Sequence, residues 1–173
     1  TKARGLSGRS QPRRLSEIEG DAEKRMPLPI TEFARVLGGG IVPGSIVLVG
    51  GDPGIGKSTL MLQVAAEMAA DSVVLYVSGE ESERQIKMRA VRLLRDEKGV
   101  PKPLPENLYL VTETNLEMIF EHVAALNPDL LILDSVQTTY IPDLSSSAGS
   151  VTQVRECASR LRELAKSSDM AVF

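Results

Sequence analysis

Five short apolar runs, separated by polar stretches marked with glycine or proline, set the rhythm of this chain: IVLVG at 46–50, VVLYV at 73–77, LYLV at 108–111, LLILD at 130–134 and AVF at 171–173. Continuous runs of this kind, rich in Val, Ile and Leu, suit strands covered on both faces. Between them the period lengthens to that of a helix. Leu60, Val64, Ala65 and Met68 share one stripe of a helix from about Lys57 to Ala70. Ser82 with Gln85 fits a capping box opening a charged helix to about Arg95, and Thr114 with Glu117 fits a second one, for a helix carrying Leu116, Ile119, Phe120 and Val123. Val151, Val154, Ala158, Leu161 and Ala165 mark a last amphipathic helix. AVF reads as the opening of one more strand, cut off mid-pattern, so the expectation is a fragment of a longer domain.

Strands alternating with helices predict an α/β fold with a mostly parallel sheet, because parallel neighbours need crossovers and helical crossovers cover both faces. Ahead of this pattern, residues 1–14, TKARGLSGRSQPRR, have neither period and read as a flexible basic arm or linker joining the domain to something upstream. The α/β domain is expected over residues 15–173, C-terminally incomplete, its last strands truncated. TEFARVLGGG predicts a short helical turn stopped by glycines, and a Ser/Gly loop spans roughly 143–150.

The length of 173 residues is enough for one domain, and 42% apolar with 25% charged residues is ordinary globular usage. No apolar run approaches the roughly 18 residues of a membrane-spanning helix. The single cysteine, Cys157, excludes a disulfide framework and a multi-cysteine zinc site within the chain. The net charge of -3 hides an asymmetry: the arm carries five Lys/Arg and no acid, leaving 15 basic against 23 acidic residues for the remainder. Charge alone therefore gives no argument for nucleic-acid binding.

The chemistry concentrates in GDPGIGKS, Gly51 to Ser58, which matches G-x-x-x-x-G-K-[ST] between a predicted strand and a predicted helix. Its physical logic is a loop, Gly51, Asp52, Pro53, Gly54, Ile55 and Gly56, whose amides turn inward around phosphate at the positive end of the following helix. Lys57 supplies a charge to the β- and γ-phosphates, Ser58 a hydroxyl to Mg²⁺, and Thr59 a contact on the α-phosphate side. Asp134 ends an apolar strand at the sheet edge where open α/β folds bind ligands, and beside a phosphate loop it is the acid expected to hold Mg²⁺. Glu80 and Glu81 end another strand at the same edge. Adjacent residues point apart, so one of them, Glu80 by preference, is expected to orient the attacking water. His122 reads as a surface helical histidine and Cys157 as a packing residue. Arg84, Lys87, Arg89, Arg92 and Arg95 read as a solvated helix face, with a subunit-contact or DNA-facing role as the alternative.

LGGGIVPGSIVLVGGDPGIGKSTLMLQVA, then VLYVSGEES with QIKMRA, then LLILDSVQT closely resemble the RecA-like ATPase domain of the RadA (Sms) family of bacterial DNA repair proteins. The resemblance runs from about Leu15 to Phe173. It implies a RecA-like P-loop NTPase fold, a cytoplasmic ATPase using ATP/ADP and Mg²⁺, single-stranded DNA and the RecA recombinase as partners, branch migration as the task, and a homo-hexamer when full length. By residue match it makes Gly51 to Thr59 the ATP loop, Glu80 the catalytic glutamate, Asp134 the Mg²⁺-linked acid and Gln137 a sensor relaying nucleotide state to DNA-binding loops. The family's four-cysteine zinc finger, Lon-protease-like domain and Lys/Arg-containing motif are not in this sequence. A chain without that trans-acting charge is expected to bind nucleotide and hydrolyse it slowly, since such a charge is worth about 10³ to 10⁵ in rate. The competing expectation is a nucleotide-gated, clock-type assembly module that moves no DNA. The loop from Asp143 to Ser150, expected near a central channel, has no aromatic residue on which bases could stack. A small-molecule kinase is disfavoured, because no arginine-rich lid insertion is evident.

Overall fold

The computed structural model describes Arg14 and residues 25–173 other than Glu97. Apart from Arg14, the expected arm lies outside the described residues. The elements run α1 (Thr31–Val36), α2 (Lys57–Met68), β1 (Val74–Ser78), α3 (Glu83–Leu93), β2 (Leu108–Thr112), α4 (Leu116–Leu126), β3 (Leu130–Asp134), α5 (Val151–Ser168) and β4 (Ala171–Val172). The strands form one parallel sheet in the order β2-β1-β3-β4. β1 is central, with Tyr76 level with Leu110 on one side and Ile132 on the other.

Alternation along the strands divides the core into two layers. Val74 and Tyr76 of β1, with Leu130 and Ile132 of β3, pack with Leu62, Ala65, Ile86 and Ala90 of α2 and α3. Leu75, Val77 and Leu131 pack with Ile119 and Val123 of α4 and Cys157, Leu161 and Ala165 of α5. Each large side chain buried this way contributes roughly 1.5–3 kcal/mol. The apolar runs are continuous because helices cover both faces, as the pattern predicted.

Two local expectations are corrected and a third is met in part. The run at 46–50 pairs with β4 at its start only. Ile46 makes one parallel bridge to Val172, the Val47 N–H donates to the Val172 carbonyl at 2.8 Å, and the Val172 N–H donates to that of Ser45 at 2.9 Å. In this register Leu48 lies opposite a position past Phe173, and its side chain is 84% exposed. The cap of α4 is Asn115 instead of Thr114. Asn115 takes an extended conformation, its Oδ1 accepts from the Glu117 N–H at 3.0 Å, and Glu113 Oε1 occupies the Thr114 and Asn115 amides at 2.7 and 2.8 Å. In α5 the buried stripe is Gln153, Cys157, Leu161 and Ala165, while Val151 is 76% exposed. A polar residue begins the stripe, so a pattern of apolar positions starts on the wrong face.

The capping box of α3 forms as expected, with Gln85 Oε1 accepting from the Ser82 N–H at 3.0 Å and from its hydroxyl at 2.7 Å. Among the described residues, no helix is long and apolar enough to cross a membrane.

Candidate active site

The phosphate-loop sequence leads from the carboxyl end of the 46–50 run into α2. Gly56 caps the helix in the left-handed region at φ 98°, and Gly54 turns the loop at φ 80°, conformations that favour glycine. No side chain caps α2 and no acid occupies its first turn, so the first amides stay open to an anion. At Gly51 a Cβ would collide with the side chain of Ile55. The Lys57 ammonium folds back over the loop and donates to the carbonyls of Gly51 and Asp52 at 2.7 and 2.8 Å. Ser58 and Thr59 follow in the first turn of the helix.

Asp134 ends β3, and its Oδ2 accepts a hydrogen bond from the Tyr76 hydroxyl at 2.7 Å. Among the described residues no hydrogen bond reaches Oδ1. Lys57, Asp134 and Ser135 border a space walled mainly by the 46–50 run, the end of β3, Val172, Phe173 and α5, so the loop lysine and the strand-end acid lie at the same edge of the sheet. Glu80 is exposed just beyond β1, and the Ser135 hydroxyl donates to its Oε1 at 3.2 Å. Glu81 turns away into an ion pair with Arg89 of α3. The two adjacent acids thus have the different orientations expected of them.

The end of β1 and the turn after β3 are closely fitted. The Gly79 N–H donates to the Asp134 carbonyl at 3.0 Å, and a Cβ on Gly79 would collide with Thr138 and crowd Thr114. The Asp134–Ser135 peptide bond in this turn is cis. Gln137 is exposed on the same turn and does not line the space bordered by Lys57 and Asp134. Its carbonyl lies 3.1 Å from where a Gly149 Cβ would stand, so the turn touches the loop before α5.

Two residues with structural roles at this edge were absent from the sequence reading. Tyr76 is 1% exposed, and burial together with the Asp134 carboxylate raises its phenol well above the ordinary 10.0. Gln153, also 1% exposed, accepts from the Ile141 N–H at 2.9 Å and donates to the carbonyls of Ile141 and Ser146 at 3.2 and 2.9 Å, tying the loop to α5. For Tyr76 the available signal was a polar tip inside an otherwise apolar run, which needs a partner when buried. His122 is exposed on α4, and Cys157 is buried, its thiol pushed up by burial.

Magnesium is usually held by one or two protein oxygens together with substrate phosphates and waters, and not by an all-protein cage. The Ser58 hydroxyl beside Lys57 and the open Oδ1 of Asp134 are hard oxygen donors of that kind. The donor set fits a Mg²⁺-nucleotide.

A phosphate loop opening a helix on a parallel sheet, facing a strand-end aspartate, defines a P-loop nucleotide-binding domain of RecA-like fold. The AAA domain family matches residues 11–173, and the chain belongs to that family. It is homologous to proteins named DNA repair protein RadA. It is 49% identical to that of Listeria monocytogenes over 160 residues, covering 92% of this chain and 33% of the relative. It is 47% identical to that of Streptococcus pneumoniae over 165 residues, covering 95% and 37%. The chain thus spans about a third of the length of these relatives. Among solved structures, a KaiC-like protein from Pyrococcus horikoshii shares the fold at a TM-score of 0.64 and 20% identity, covering 86% of this chain and 68% of its own.

Proposed function

We propose that this chain is the ATP-binding and ATP-hydrolysing core of a DNA-repair motor. The observation that carries this reading is the placement of Lys57 and Asp134 at one edge of the sheet, where the Ser135 hydroxyl next to Asp134 donates to Glu80. The loop amides from Gly51 to Gly56 and the open first turn of α2 bind the phosphates, and Lys57 exchanges the carbonyls of Gly51 and Asp52 for the β- and γ-phosphate oxygens. Such an exchange replaces neutral acceptors by charged ones, which strengthens each hydrogen bond. Thr59 lies on the α-phosphate side. Ser58 and Asp134 would hold Mg²⁺, which would supply neutralisation of charge on the phosphate oxygens.

Glu80 accepts a proton from water as that water attacks the γ-phosphorus. The bond from the γ-phosphorus to the β–γ bridging oxygen breaks, and ADP leaves with phosphate. Gln137, on the turn between Asp134 and the loop ending at Ser150, reports the state of the nucleotide to that loop. The relatives' name supports DNA repair as the setting, and single-stranded DNA as the polymer handled, together with branch migration beside a RecA recombinase in a hexameric ring, completes the proposal.

The test is binding of a fluorescent ATP analogue and of labelled single-stranded DNA to this chain, each measured with and without the other. Mg²⁺-dependent nucleotide binding that strengthens DNA binding is the expected result. Nucleotide binding indifferent to DNA would point instead to an assembly module timed by nucleotide, and the absence of nucleotide binding would overturn both readings.

A further inference from the structure

Tyr76 sits at the centre of the sheet, level with Ile132, and is therefore diagonal to Asp134 on the same face of the neighbouring strand. Its side chain packs in the layer of Leu62 of α2 and Ile86 and Ala90 of α3, with the Arg89 guanidinium near enough to act on the phenol. Its hydroxyl donates to Asp134 Oδ2 at 2.7 Å. A buried hydroxyl has to find an acceptor, and a carboxylate at a strand end has several rotamers open to it. The bond answers both conditions. It fixes the carboxylate plane and commits Oδ2 to the protein, while among the described residues no hydrogen bond reaches Oδ1, at the sheet edge shared with Lys57.

We infer that Tyr76 is a positioning residue for the metal-side acid: its phenol holds Oδ2 of Asp134 and thereby presents Oδ1 to the Mg²⁺ that accompanies the nucleotide. The inference rests on the ATPase reading above. Partners that orient a metal ligand typically change metal affinity by about 10- to 100-fold when removed. Tyr76 touches neither nucleotide nor metal in this scheme, so its loss separates metal dependence from nucleotide affinity. A tyrosine serving the core alone would make no such separation.

The experiment compares the unchanged chain with Tyr76→Phe, Asp134→Asn and the double variant. Binding of a fluorescent ADP analogue is followed in EDTA and through a Mg²⁺ titration, with thermal denaturation in EDTA reporting the fold. Tyr76→Phe is expected to bind nucleotide in EDTA as the unchanged chain does, and to need about tenfold more Mg²⁺ for half of the metal-dependent gain. In the Asp134→Asn background the same substitution is expected to add nothing further. A Mg²⁺ titration of folded Tyr76→Phe that superimposes on that of the unchanged chain overturns the inference.

Should the variant not fold, the unchanged chain labelled with 3-fluorotyrosine supplies the readout. The most solvent-shielded of its three resonances is expected to shift when Mg²⁺ joins bound ADP, and a fixed resonance overturns the inference. A separate result bears on the broader reading. If the unchanged chain binds no nucleotide, or if Asp134→Asn leaves the Mg²⁺ titration unaltered, the ATPase assignment fails and the role of Tyr76 fails with it.

Discussion

Arg89 of α3 holds Glu81 in an ion pair, and this pairing separates two chemically identical neighbours at the end of β1. Glu81 is tied to a helix, whereas Glu80 is exposed and, among the described residues, receives a hydrogen bond from the Ser135 hydroxyl alone. Glu80→Gln is expected to abolish measurable ATP hydrolysis while leaving nucleotide affinity within about threefold, the loss of a general base being worth about 10² to 10⁴ in rate. Glu81→Gln is expected to slow hydrolysis much less and to lower stability by up to about 1 kcal/mol. Single-turnover hydrolysis and thermal denaturation of the two variants check the contrast. Equal losses of rate would show that the ion pair does not divide their roles.

Lys57 spans its own loop through two hydrogen bonds to carbonyls of exposed residues. Lys57→Ala frees those carbonyls to water at little cost to the fold, so the melting temperature is expected to change by no more than about 2 °C. Triphosphate affinity is expected to fall by about 10- to 150-fold, which corresponds to a charged hydrogen bond of about 1.5–3 kcal/mol. Calorimetric titration with ATP, set against a melting curve, measures both quantities. Unchanged affinity would remove the phosphate-loop assignment.

Gln153 bonds to both backbone groups of Ile141 and to the Ser146 carbonyl from a fully buried position. Gln153→Leu keeps the approximate volume but leaves these groups without their acceptor and donors. The expected loss is about 2–4 kcal/mol in urea denaturation, together with faster hydrogen exchange at the Ile141 amide, because unsatisfied buried groups cost about 1–3 kcal/mol each. Protection at Ile141 equal to that of the unchanged chain would show that the loop is held by something else.

Cys157 has a thiol raised above its ordinary 9.0, mainly by burial. The folded chain therefore keeps this proton at a pH where the unfolded chain has lost it. The associated stabilisation is complete below about pH 9 and declines as pH rises through the folded-state value. Cys157→Ala is expected to flatten the alkaline fall in stability relative to the unchanged chain, whatever its effect at neutral pH. Parallel stability-against-pH curves for the two chains above pH 9 would contradict this.

Strands β1 to β3 and helices α2 to α5 were legible because each carries a run or stripe long enough to declare its period. The phosphate loop was legible for a different reason, since its glycines, lysine and serine form a local pattern whose function needs no distant contact. What escaped was non-local. Tyr76 reads as one more apolar strand residue until β3 is laid beside β1, and only the register shows that its hydroxyl reaches Asp134. Gln153 escaped because its partners lie in an irregular loop. The choice between Thr114 and Asn115 as cap depended on backbone conformation at a single residue. The run at 46–50 pairs in parallel with β4 as far as β4 reaches, and in that register its remaining positions face ones past Phe173.

That run is the stem of the phosphate loop, and its ladder contacts to β4 lie at its base. The loop therefore joins the β4 edge of the sheet to the uncapped start of α2. The residues that would close around a polyphosphate also set the spacing between strand and helix, so any adjustment of the loop on binding would be felt by both at once.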